Sequence, residues 1–266
     1  MPAIVSSAPP LAYLLDLDGT LYSGGTAIAG AAETLARLRE RSIPYRLVTN
    51  TTSRSRTNLV QRLRSYGFEV SPEELFTATL AGCELARAAG YAQVAPFTPE
   101  PALEDLGPLE LVGGTSGRRV AQAPDAILVG DLGERWSYAL MQEAFEYLTG
   151  GAAFIALGRD RYWLKDDHLA LDAGPFVAGL EYASGKEATV AGKPNPAFFQ
   201  GAIRSLGLTA SQSVVMVGDD VWSDVGGAQK AGLQGWLVRT GKYRDSVLEQ
   251  SGIQPDRVLD SIAALE

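Results

Sequence analysis

The chain of 266 residues has one cysteine, Cys83, and one histidine, His168. A lone cysteine forms no internal disulfide, which points to a reducing compartment, and with no basic neighbour in sequence Cys83 reads as a packed small residue. His168 lies in Lys165-Asp166-Asp167-His168, a stretch polar enough to read as solvated rather than catalytic. Positive charge is also scarce: 23 Lys and Arg face 31 Asp and Glu, a formal charge of -8. That excludes the basic face of a nucleic-acid binder. The apolar run 11–15 is too short for a signal core or a membrane span, and the first basic residue is Arg37, so no basic segment precedes it. These absences give a cytoplasmic protein with no nucleic-acid and no membrane partner. Hydrophobic residues at 46% and charged residues at 20% are ordinary for a folded globular chain and exclude disordered, collagen-like and coiled-coil classes.

Short apolar runs at 11–15, 45–48, 213–217 and 235–238 read as buried strands. Between them Ala32, Leu35 and Leu38, then Leu59 and Leu63, recur at helical spacing. Strands alternating with helices predict an α/β fold with a Rossmann-like parallel sheet. Turn formers crowd 96–117, and after them come an apolar run at 125–129, a helical stretch at 136–148 and another run at 152–157. The middle of the chain therefore reads as a second α/β unit inserted into the first. Trp136, Tyr138 and Tyr147 read as packing residues of its helix, and Gln229-Lys230-Ala231-Gly232 as a helix end before the last strand.

Chemistry gathers at strand ends, where parallel α/β sheets place their sites. The first run ends in Asp16-Leu17-Asp18-Gly19-Thr20. On an extended chain Asp16 and Asp18 share one side, where two like charges repel unless a cation or proton lies between them; a polar turn is the competing reading. A second run ends in Gly218-Asp219-Asp220-Val221-Trp222-Ser223-Asp224. Clustered carboxylates suit Mg²⁺, although acids also decorate helix N-termini unaided. Thr49-Asn50-Thr51-Thr52 offers hydroxyls and N–H groups and Gly192-Lys193-Pro194 a cation, together suited to a phosphate. Each is weak alone.

With these four segments in order, the sequence resembles the haloacid dehalogenase superfamily. Gly174-Pro175-Phe176, Asp224-Val225-Gly226-Gly227-Ala228-Gln229 and Arg239-Thr240-Gly241-Lys242-Tyr243 are similar to its NagD-like branch. That branch includes the haloacid-dehalogenase-like hydrolase domain-containing proteins and phospholysine phosphohistidine inorganic pyrophosphate phosphatase. The resemblance implies that Asp16 is the nucleophile and Asp18 the general acid and then base. Thr49, Asn50 and Lys193 bind phosphate, and Mg²⁺ is held by Asp16, the Asp18 backbone carbonyl and Asp219, with Asp224 and Asp220 behind them orienting its water. Spacing adds that the interval from Thr49 to Lys193 is far longer than one crossover needs. In this superfamily an insertion there is a type IIA cap, giving a catalytic core of residues 1–80 plus 186–266 and a cap of 81–185.

The resulting expectation is a Mg²⁺-dependent phosphatase acting on a small-molecule phosphate ester. A phosphomutase shares the four motifs, and a non-catalytic phosphate-binding module is expected to lose one of Asp16, Asp18, Lys193 or Asp219, all of which are present. The cap is expected to read the substrate. Gly158-Arg159-Asp160-Arg161-Tyr162-Trp163 offers candidate contacts, against which stands a reading of exposed arginines with Tyr162 and Trp163 packed inside. The oligomeric state stays open, with a homodimer as the candidate assembly.

Overall fold

The computed structural model describes residues 10–118, 120–165, 168–209 and 213–265. It divides into two compact units, residues 1–49, 60–76 and 193–266 in the first and 50–59 and 77–192 in the second. Along the chain come β1 (Ala12–Asp16), β2 (Tyr22–Ser23), β3 (Thr26–Ala27), α1 (Ala31–Glu40), β4 (Tyr45–Thr49), α2 (Arg56–Ser65) and β5 (Leu75–Thr77). Then follow α3 (Ala78–Ala88), β6 (Gln93–Phe97), β7 (Glu110–Leu111), β8 (Ala126–Val129), α4 (Tyr138–Thr149), β9 (Ala153–Ala156), β10 (Tyr162–Lys165), β11 (His168–Leu171), α5 (Gly174–Ser184) and β12 (Thr189–Val190). The chain ends with α6 (Pro196–Ser205), β13 (Val214–Gly218), α7 (Gly227–Lys230), β14 (Gln234–Val238), α8 (Asp245–Ser251) and β15 (Arg257–Leu259).

The first unit is built on a six-stranded sheet in the order β15-β14-β13-β1-β4-β5. β1 pairs in parallel with β13 on one side and β4 on the other. Both β1 and β13 are buried throughout, as strands covered on both faces must be, and this is why each reads as an unbroken apolar run. Strand order reverses direction at the β1–β13 pair, the topological switch point at which open α/β sheets leave a crevice beyond their carboxyl ends. An aromatic contact ties α6 to this sheet, where Phe198 meets Phe76 of β5 edge-on at 5.3 Å, and Phe198 also meets its helix neighbour Phe199 at 5.7 Å. β14 is not the last strand, because β15 pairs alongside it. Its three residues, two of them exposed, carry too little apolar pattern to announce a strand.

The second unit has a parallel sheet in the order β12-β9-β8-β6-β7 and a separate β10-β11 hairpin. Its core gathers Phe97, Ile127, Val129, Leu148, Phe154, Val177 and Leu180. Trp136 stacks between Phe97 and Phe176, at 6.1 and 4.8 Å, and Tyr147 is buried beside Phe97, so both pack as expected. Tyr138 does not: it opens α4 with its ring in solvent. Tyr162 and Trp163 are likewise exposed rather than packed inside, because a two-stranded hairpin has no second layer to cover them. Cys83 is buried. Asp166, Asp167 and the His168 side chain lie outside the described residues. Among the described residues no helix is long and apolar enough to cross a membrane.

Candidate active site

Leu15 is level with Val217 across the β1–β13 pair, and Asp16 with Val48 across β1–β4. Asp16, Asp219 and Thr49 therefore leave three adjacent strands at the same carboxyl edge. Thr49 is buried. Asn50, the next residue, belongs to the second unit, where its amide donates to Asp160 Oδ2 at 3.3 Å. The alternation expected from Asp16 to Asp18 stops at Asp16, where β1 ends. The chain then turns, with the Leu21 N–H donating to the Leu17 carbonyl and the Gly19 N–H to the Tyr22 carbonyl. Asp16 ends up buried and Asp18 exposed.

Lys193 arrives just after the return from the second unit and links two of the acids. Its Nζ donates to Asp16 Oδ1 at 2.5 Å and to Asp224 Oδ1 at 2.7 Å, and all three side chains are buried. A wide helical turn, Val221–Gly226, follows β13. Asp220 caps it by accepting the N–H groups of Trp222 and Ser223 at 3.0 and 2.9 Å, so the helix-capping reading holds for this acid. Asp224 instead turns back, accepting the Asp220 N–H at 3.1 Å with Oδ2. Carboxylate oxygens of Asp16, Asp219 and Asp224 come within 4.8 Å of one another. The Asp18 carboxyl stands outside this triad.

Two glycines make room for the cluster. A Cβ on Gly19 would lie 1.9 Å from Asp219 Oδ2, and one on Gly218 would lie 2.1 Å from Asp224 Oδ2. Gly19 also has φ +81°, a conformation that costs a side-chain-bearing residue free energy. Residues 239–243, read from sequence only as a mark of the branch, also build the site. The Lys242 N–H donates to Asp219 Oδ2 at 2.7 Å, its Nζ to Asp220 Oδ2 at 3.2 Å, and the Thr240 hydroxyl to the Gly19 carbonyl. The signal was a basic residue shortly after the buried strand β14.

Burial raises the Asp16 carboxyl above the usual carboxylate range despite Lys193. Asp219 and Asp224 are raised too, by burial first and then by neighbouring carboxylates against the pull of Lys242 and Lys193. Asp18, though exposed, is also raised, by partial desolvation at the mouth of the cluster, opposed by Arg62 and Lys242. Asp220 stays low, since Lys242 and the capping N–H groups outweigh its burial. Lys193 remains charged because Asp16 and Asp224 overcome the cost of its burial. Buried acids that raise one another in this way are short of positive charge. Hard oxygen donors in that state match Mg²⁺, so the donor set fits the ion.

Residues 13–107 match the family described as haloacid dehalogenase-like hydrolase, and residues 190–265 the family described as HAD-hydrolase-like. The chain is 41% identical to human haloacid dehalogenase-like hydrolase domain-containing protein 2, covering 92% of this chain and 90% of that protein. It is 37% identical to human phospholysine phosphohistidine inorganic pyrophosphate phosphatase, covering 94% and 90%. Among solved structures, the glycerol phosphate phosphatase of Mycobacterium tuberculosis in complex with magnesium is similar with a TM-score of 0.80 at 28% identity, covering 95% of this chain and 75% of that one. A parallel sheet with acids at its switch point, matched by relatives of this kind over nearly the whole chain, means that the chain belongs to the haloacid dehalogenase-like hydrolases, in their phosphatase branch.

Proposed function

We propose that the chain is a Mg²⁺-dependent phosphatase that hydrolyses a small-molecule phosphomonoester through an aspartyl-phosphate on Asp16. The observation that carries this reading is the buried cluster of Asp16, Asp219 and Asp224 threaded by Lys193. Asp16, the Asp18 backbone carbonyl and Asp219 would hold Mg²⁺, with Asp224 beside them. Bound there, the ion supplies positive charge against the repulsion between a carboxylate and a phosphate dianion.

The remaining chemistry falls to the side chains. The Asp16 carboxylate attacks phosphorus, the bond from phosphorus to the leaving oxygen breaks, and Asp18 gives that oxygen its proton. Asp18, now a carboxylate, takes a proton from water, which attacks the same phosphorus and releases inorganic phosphate and free Asp16. Exposure of Asp18 and burial of Asp16 suit this division, since only the acid exchanges protons with solvent. Lys193 opposes the protonation that burial favours at the nucleophile. Thr49 and the Asn50 N–H are assigned to phosphate oxygens, and positioning with electrostatics supplies most of the rate, as phosphoryl transfer requires. The second unit, residues 50–59 and 77–192, is assigned as the inserted type IIA cap.

Release of nitrophenol from p-nitrophenyl phosphate tests the reading, with wild type and Asp16→Asn compared in Mg²⁺ and in EDTA. Metal-dependent turnover abolished by the substitution is expected. Turnover that survives either EDTA or Asp16→Asn would overturn the assignment of metal or nucleophile.

A further inference from the structure

Arg62, on α2, is held beside Asp18 with its charge largely unspent. Its guanidinium lies 5.1 Å from the centroid of the Tyr22 ring and 5.8 Å from that of Tyr66. Nε donates to the Tyr66 hydroxyl at 2.9 Å, and the two rings contact each other at 5.2 Å. Tyr22 is buried and fixed to the catalytic turn: its backbone bridges Asp18, and its carbonyl accepts the Gly19 N–H at 2.7 Å. A guanidinium held by two rings and one hydrogen bond has lost its rotamer freedom before any ligand arrives, so a partner of its terminal nitrogens costs little further ordering.

Those terminal nitrogens donate no hydrogen bond to any described residue, and no described carboxylate is ion-paired with the guanidinium. Asp18 acts electrostatically on Arg62, and Arg62 on Asp18 in turn. In the proposed reaction Asp18 faces the leaving oxygen, which puts Arg62, held on the ring of Tyr22 beside Asp18, on the leaving-group side of the phosphorus. A planar fork of N–H donors there matches a carboxylate or a phosphoryl group.

We infer that Arg62 is a specificity-determining residue, receiving a second anionic group, carboxylate or phosphoryl, on the leaving group of the substrate. This rests on the phosphatase reading and narrows its substrate class to phosphate esters that carry another anion within a few bonds of the ester oxygen. Tyr22 and Tyr66 act as positioning residues that aim the guanidinium.

The test uses the full chain with Mg²⁺ and three substrates sharing a three-carbon leaving group: 3-hydroxypropyl phosphate, 3-phosphonooxypropanoate and propane-1,3-diol bisphosphate. The readout is the ratio of kcat/KM for each doubly anionic ester to that for the hydroxyl ester, in which a general loss of structure or activity cancels. Wild type is expected to favour at least one anionic ester by about ten-fold or more, the scale of one hydrogen bond between charged groups. Arg62→Gln should bring that ratio close to unity through KM, and Arg62→Lys, which keeps the charge without the fork, should restore part of it. The two anionic esters show whether carboxylate or phosphoryl is the preferred group. Absence of the preference in wild type, or its persistence in Arg62→Gln, overturns the inference while leaving the phosphatase reading intact. Failure of wild type to hydrolyse p-nitrophenyl phosphate and all three esters overturns both.

Discussion

Gly19→Ala separates backbone cost from site geometry, because a second glycine supplies the matched control. Gly19 and Gly207 both have positive φ, +81° and +73°, yet a Cβ on Gly207 meets nothing within 4 Å whereas one on Gly19 lies 1.9 Å from Asp219 Oδ2. Alanine in the left-handed region costs about 1–2 kcal/mol at either position. At Gly19 the carboxylate must also retreat by about 1 Å to reach an acceptable contact, breaking the bond from the Lys242 N–H to Asp219. Loss of a hydrogen bond to a charged group adds about 1.5–3 kcal/mol. Misplacement of this size at a reacting centre lowers turnover about 10²-fold. Urea unfolding and Mg²⁺-dependent p-nitrophenyl phosphate turnover of both variants give the comparison. Gly207→Ala should lose about 1–2 kcal/mol and no activity, and Gly19→Ala about 2.5–5 kcal/mol together with most of its activity. Equal effects in both assays would show that the carboxylate has room to move and that the glycine serves the turn alone.

Other substitutions test separate parts of the structure. Lys193→Met strands the buried carboxylates of Asp16 and Asp224, and unfolding titrations should show a loss of about 3–5 kcal/mol. Its kcat should fall by about 10²-fold or more, and turnover within about five-fold of wild type would remove Lys193 from the mechanism. Asp18→Asn should depress alkyl phosphate hydrolysis by about 10² or more beyond its effect on p-nitrophenyl phosphate, whose leaving group departs without a proton; equal losses would contradict the acid role. Phe198→Ala removes a fully buried ring held against Phe76 and Phe199, and should cost about 3–5 kcal/mol in the same titration, with a loss under about 1 kcal/mol counting against that packing.

The legible parts of the sequence were those whose meaning is local. Residues 12–16 and 214–218 are covered on both faces, so burial wrote itself as continuous apolar runs, and the acids that follow each run stood out as strand ends. The contribution of Lys242 was only half legible: its place shortly after the apolar run 235–238 marked a strand end, but its N–H reaches Asp219 only once β14 lies beside β13. Arg62 was hidden among the charged residues of α2; Tyr22, which returns beside the helix, and the Tyr66 hydroxyl hold it, whereas Arg64 is spent on the Val70 carbonyl. The ring of Tyr138 was misread, and of the two readings of Tyr162 and Trp163 the packed one fails, because side-chain chemistry states what a residue would bury, while the layers around it decide whether it can. β2 and β3, of two residues each, are too short to show a period.

The order in which the site can form follows from the adjacency of β1 and β13. Asp16 and Lys193 are bonded across 177 residues of chain, and the central strand has its neighbour on that side only when the last third of the sequence is present. Such a contact is among the slowest to close, because the entropy of a long loop must be overcome before any hydrogen bond rewards it. During synthesis from the N-terminus, the second unit is complete while Asp16 still lacks its lysine and both partner carboxylates. Competence for chemistry is therefore acquired last, and a truncated or nicked chain that retains a folded middle is expected to be silent rather than partly active.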